Sequence, residues 1–141
     1  MTMTYQQEQF LQSATGRDAI LNLNARHNRA YSAGERDRWI ATFRHSGASY
    51  VRDGELFTDL RAGFDGGDGA RLVTIDHEIH IDGVNASQRC VAVLFAAAYG
   101  DTTLRATGTY RDELIYERGD WYFTSRNLAW DVVPSRHPLV M

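Results

Sequence analysis

The sequence predicts an α+β domain shaped as a cone, with N-terminal helices packed in the concave face of a curved, mainly antiparallel sheet. Two helix-periodic stretches come first, between Arg17 and Arg44. Four long strand-like stretches joined by hairpin turns follow, from Leu72 to Val133. Helices and strands are therefore segregated along the chain, not alternating. A strongly twisted sheet wrapped around a long helix leaves a conical hollow.

Residues 1–16 are polar and read as a loose N-terminal arm. Residues 17–133 form the single domain, and 134–141 are a tail. From Arg17 to Ala33, Ile20, Leu23, His27, Ala30 and Tyr31 recur on one helical face, and Gly34 stops the helix. A second helix, Glu35 to Arg44, turns Trp39, Ile40 and Phe43 inward. Ala48–Asp53 is a short strand that turns at Asp53-Gly54. Asp59–Phe64 is a short third helix, and the glycine-rich run Asp65–Gly69 is a loop. Leu72–Asp82 alternates strictly, with Val73, Ile75, His77, Ile79 and Ile81 on one face. Arg89–Tyr99 is apolar on both faces and reads as a doubly covered strand. Trp121 to about Val133 is the last strand, ended by Pro134.

The composition narrows the function. The chain has 141 residues and a formal net charge of −3, so it lacks the basic stripe that nucleic acid requires. Every basic residue is arginine, and without lysine there is neither Schiff-base chemistry nor a P-loop. One cysteine, Cys90, rules out an internal disulfide. No apolar run is long enough to span a membrane and no signal-peptide pattern is present, so the expected location is cytoplasmic. No Gly-x-Ser-x-Gly elbow and no dinucleotide fingerprint occurs. No cofactor and no metal site is expected.

The strand from Leu104 to Glu117 is the centre of the chain. One face carries Leu104, Ala106, Gly108, Tyr110, Asp112, Leu114 and Tyr116, so a single carboxylate stands among apolar residues. Three ionisable side chains thus interrupt apolar faces: His27, His77 and Asp112. Each must find a hydrogen-bond partner or bear the cost of desolvation. If the sheet curls over the helix, all three point into one cavity. A histidine moves protons near neutral pH, and a carboxylate beside it fixes its tautomer or donates to an oxyanion. The plain alternatives are core histidines with satisfied hydrogen bonds and an ion pair of Asp112 with an arginine such as Arg126.

The run Ala25–Phe43, followed by Ala48–Asp53, resembles the start of the nuclear-transport-factor-two-like superfamily. Gly108–Glu113 and Gly119–Arg126 are similar to its final hairpin. This is the fold of ketosteroid isomerase, scytalone dehydratase and the small polyketide cyclases. The resemblance implies that His27 stands where the isomerase keeps its oxyanion-binding tyrosine. It likewise implies that Asp112 stands where that enzyme keeps its protonated aspartate. The isomerase's general base falls near Arg52-Asp53, a turn, and the dehydratases' helical aspartate is Ser32, so neither dyad is complete.

The expectation is a lyase or isomerase acting on a small hydrophobic carbonyl or hydroxyl compound. His27 or His77 is its base and Asp112 the group that orients the base or donates to substrate. Tyr31, Tyr50, Tyr110, Trp39, Leu114 and Trp130 would contact the substrate. The outer sheet face, with Thr107, Thr109, Arg111 and Ile115, is the expected homodimer surface. The alternative is a non-catalytic ligand carrier or the small structural subunit of a ring-hydroxylating oxygenase.

Overall fold

The computed structural model describes residues 3–131. A long helix, α1 (Tyr5–Ala33), lies against a six-stranded sheet. Two short helices, α2 (Arg36–Ile40) and α3 (Leu60–Gly63), close one side. The strands are β1 (Ser49–Arg52), β2 (Glu55–Phe57), β3 (Ala70–Asp82), β4 (Asn85–Ala98), β5 (Asp101–Glu117) and β6 (Asp120–Trp130). Their order is β2-β1-β6-β5-β4-β3, and every pairing is antiparallel except β1 with β6. The architecture is the expected α+β one.

Helix α1 begins well before Arg17. Thr4 caps it, its hydroxyl accepting from the Gln7 N–H while the Gln7 side chain accepts from the Thr4 N–H. Most of the stretch expected to be a loose arm is therefore helix, because its polar residues favour helix and a capping box starts it. From Gly16 onward the inward face is continuous: Gly16, Ile20, Leu23, Asn24, His27, Asn28, Ala30 and Tyr31 are buried. Gly34 ends the helix at φ 73°, a conformation glycine adopts without strain. The tail 134–141 lies outside the described residues.

Three irregularities aim the inner side chains. In β3, Ile75 pairs with Val91 but Glu78 pairs with Arg89, so β3 holds one extra residue there. Asp76 takes φ 54° at this bulge. The face that alternation assigned to Val73, Ile75, His77, Ile79 and Ile81 is thereby split. Val73 and Ile75 point out to solvent, whereas Ile79 is buried and Ile81 packs on the core. In β6 a second bulge, between the Phe123 and Ser125 pairings, turns both Phe123 and Arg126 inward. A third shifts β5 by one residue between Ala106 and Leu104, leaving Leu104 62 % exposed.

The hollow of the sheet is filled. Trp39 packs against Phe43, Tyr50 and Phe64 with ring centroids 4.8, 5.3 and 5.3 Å away, and Phe123 joins Phe43 at 5.7 Å. Phe43, Tyr50, Tyr110, Leu114 and Phe123 are all essentially without exposed surface.

Candidate functional site

Gln88, Asp112 and Arg126 stand side by side in one row across β4, β5 and β6. Residues directly opposite in adjacent strands project to the same face, so the row forms a hydrogen-bonded line. Arg126 donates to Asp112 through Nε at 2.9 Å and Nη2 at 3.0 Å. Gln88 Nε2 donates to Asp112 Oδ2 at 2.6 Å. The guanidinium is sandwiched, its carbon 3.7 Å from the Tyr110 ring centre and 4.0 Å from that of Phe123. Burial pushes the Asp112 carboxyl upward, and Arg126 and Gln88 pull it back. Burial also disfavours the Arg126 charge, but Asp112 more than offsets this. The two-pronged geometry is that of an ionised pair.

His77 extends this row toward the surface. The β3 bulge places it diagonally from Gln88, and His77 Nδ1 lies 2.9 Å from Gln88 Oε1. The Gln88 amide has its nitrogen on Asp112, so its oxygen faces His77 and accepts. Asn24 Nδ2 donates to the same oxygen at 2.7 Å. His77 must therefore carry its proton on Nδ1. Its Nε2, when the ring is neutral, is a free acceptor with no protein partner among the described residues.

That ring borders a cavity of about 750 Å³ between α1 and β3. Asn24, Asn28, Arg29 and Ser32 line it from the helix, and Arg71, Leu72, Thr74 and His77 from the strand. A second polar relay reaches this cavity. His27 Nδ1 lies 3.1 Å from Asn28 Oδ1, and Asn28 Nδ2 donates to Thr74 Oγ1 at 2.9 Å. The Thr74 hydroxyl keeps its own proton for another acceptor.

Of the three residues expected to converge, the structure joins His77 and Asp112 through Gln88. His27 is fully enclosed, with Trp39, Tyr110, Phe123 and Phe43 between 5.6 and 6.2 Å from its ring. Burial, and next the charge on Arg126, push its pKa well below 6.5, while the Asn28 hydrogen bond opposes them. His27 Nε2, Trp39 Nε1 and Arg126 Nη1 are buried without a hydrogen-bond partner among the described residues. Tyr31, Tyr50, Tyr110, Trp39 and Leu114 are buried core residues, and none lines the α1–β3 cavity. Burial, then Asp65, raise the Tyr31 phenol, and the same two causes push that of Tyr50 to about 12. Trp130 is half-buried against Gly108, where a Cβ would lie 2.8 Å from its Cε3.

Sequence reasoning missed Gln88, Asn24 and Asn28. Gln88 falls one residue before the stretch read as a doubly apolar strand. It is the one large amide among the inner-facing β4 residues Ala86, Gln88, Cys90, Ala92 and Leu94. Asn24 and Asn28 sit four residues apart on α1, on the face that also carries His27. Two amides on a buried helical face are the signal that was available. Among the described residues no three His, Cys, Asp or Glu side chains cluster to hold a metal ion.

A long helix seated on a bulged antiparallel sheet, with a polar row ending in a histidine, defines a cone-fold protein with a lateral groove. Residues 12–127 match the SnoaL-like domain, and the chain belongs to that family within the nuclear-transport-factor-two-like superfamily. No curated protein sequence matches the chain. Among the solved structures that share the fold, two have TM-scores of 0.79 and 0.74. The first is a nuclear-transport-factor-two-like protein with a cystatin-like fold from Novosphingobium aromaticivorans, 18 % identical over 96 % of this chain and 95 % of that one. The second is a candidate scytalone dehydratase from the same organism, 15 % identical over 91 % and 92 %. The third, also from that organism, is the β subunit of a candidate aromatic-ring-hydroxylating dioxygenase. It is 16 % identical over 86 % and 92 %, with a TM-score of 0.70.

Proposed function

We propose that the α1–β3 cavity binds a small carbonyl or hydroxyl compound and that His77 moves its proton, as in a lyase or isomerase. The observation that carries this is the line His77–Gln88–Asp112–Arg126, which leaves His77 Nε2 as the acceptor at the cavity. A neutral imidazole held in one tautomer is a suitable general base. Asp112 is a positioning residue here, since it orients Gln88 and does not reach the cavity side of His77. The Thr74 O–H is the donor to the substrate oxygen on which charge develops. His27 acts at a distance by fixing the Asn28 amide.

Proton abstraction is read without knowing the substrate. A panel of small cyclic ketones in D2O, followed by proton NMR, reports exchange next to the carbonyl. The wild type should accelerate exchange of at least one, and folded His77→Gln should not. Equal exchange by the two proteins, or none by the wild type, counts against the reading.

One observation favours a second reading, a non-catalytic carrier or oxygenase small subunit: the deep cone is filled by the protein's own aromatic rings. In that case the chain should co-purify with a larger iron-containing subunit from its native source. Under either reading the convex sheet face suits a second copy of the chain. Half-buried Thr107, Thr109, Val91 and Val93 join exposed Val73 and Ile75 there.

A further inference from the structure

We infer that Ser32 is a second hydrogen-bond donor of the α1–β3 cavity, and that its ligand is a six-membered ring with oxygens at opposite ends, one on Thr74 and one on Ser32. This deepens the proposed site and rests on that reading of the cavity, though not on His77 being the base. β3 lies at the edge of the sheet, and the Leu72 N–H donates to Ser32 Oγ at 2.9 Å. Capping the strand edge in this way occupies the Ser32 hydroxyl as an acceptor only. Its own proton has no protein acceptor among the described residues, and Ser32 lines the cavity. Thr74 is held in the same manner, since Asn28 Nδ2 donates to its Oγ1 at 2.9 Å and its proton stays available at the same wall.

Both elements set the same spacing for the two donors. Asn28 and Ser32 are one turn apart on α1, about 6 Å of rise. Leu72 and Thr74 are two residues apart on β3, about 6.6 Å of strand. The hydroxyls thus stand roughly 6 Å apart along one wall. Oxygens on adjacent ring atoms are too close together to meet both, whereas oxygens across a six-membered ring are spaced to do so. Along β3 the order is Leu72, Thr74, His77, so a carbonyl on Thr74 has a ring carbon next to it on the His77 side. Leu21, Ala25, Leu72 and Ala97 supply apolar surface for the ring itself.

Cyclohexane-1,4-dione and 4-methylenecyclohexanone, in which a carbon replaces the second oxygen, make the test. Their binding to the full chain is followed by NMR shifts of the Leu72 and Thr74 backbone amides and the Asn28 side-chain amide. The dione should bind about threefold to tenfold more tightly, the effect of one added hydrogen bond. Ser32→Ala should bring the two to equal affinity while retaining the methylene compound's binding. Ser32→Thr keeps a hydroxyl there and should retain the preference. His77→Gln should also retain it, so loss of proton transfer and loss of ligand recognition are read separately. Equal affinity in the wild type, or a preference that survives Ser32→Ala, overturns the inference and leaves the cavity reading standing. No shift with either compound up to about 10 mM overturns both.

Discussion

Asp112 lies directly across the β5–β6 ladder from Arg126, and the two close a bidentate ion pair with neither side chain exposed. Removing one partner leaves the other charge in an aromatic interior. Asp112→Asn should therefore lower the unfolding free energy by about 3–5 kcal/mol. Replacing both, as Asp112→Leu with Arg126→Met, should recover most of that loss, because the desolvation cost disappears with the pair. Urea denaturation of the two variants checks this, and a double variant as unstable as the single one counts against it.

His27 gives the fold a dependence on acid. Its ring stays neutral in the folded state because burial and Arg126 push its pKa well below 6.5. In the unfolded chain it takes up a proton near its ordinary value. Below pH 6.5 the unfolded state thus binds more protons, and stability falls as pH falls toward the depressed folded pKa. His27 alone should contribute a slope of about 1.4 kcal/mol per pH unit in that window. His27→Leu should remove that part of the slope and leave the pH dependence above the window unchanged. Denaturation midpoints across the acid range, wild type against variant, measure the difference.

Periodicity made the element types legible, and local irregularity hid the site. The buried face of α1 from Ile20 to Tyr31 follows from spacing alone, and so does the inward run Ala106–Leu114 in β5. A bulge adds one residue without any compositional mark, so alternation could not show that Val73 and His77 face opposite ways. The same holds for Phe123 and Arg126, three apart yet on one face. Asp112 stands out in the sequence because a carboxylate among apolar neighbours is costly, and an arginine such as Arg126 is the plain ion-pair partner for it. The Gln88 bridge was not visible, because strand register is a property of pairing, not of one strand.

The first turns of α1 should behave as a separate unit. Tyr5 and Phe10 are 72 % and 75 % exposed, so tertiary packing does little for this segment. Its order depends on the capping box at Thr4 and Gln7. Thr4→Ala should cost about 1 kcal/mol locally, seen as faster amide exchange over residues 5–12. The denaturation midpoint of the whole domain should stay unchanged. A large fall in that midpoint would mean the segment packs against something that the monomer does not show.

Asp76 is the residue on which the placement of His77 depends. It occupies φ 54° at the β3 bulge, a conformation disfavoured for residues with a side chain. Asp76→Gly should be neutral or slightly stabilising, whereas Asp76→Val should be destabilising, since a β-branched side chain resists positive φ. Deleting Asp76 is the stronger test. Without the extra residue, one half of β3 must exchange its faces. Either Leu72 leaves the core, or Ile79 and Ile81 do, together with His77. Exposing side chains of this size costs about 1.5–3 kcal/mol each, so the deletion should lower stability by at least about 2 kcal/mol. If the upstream half keeps its facing, the His77 ring loses Gln88, and its ring NMR signals should no longer respond to Gln88→Ala. A deletion variant as stable as wild type, with the His77 response to Gln88→Ala intact, would show that the bulge does not aim His77.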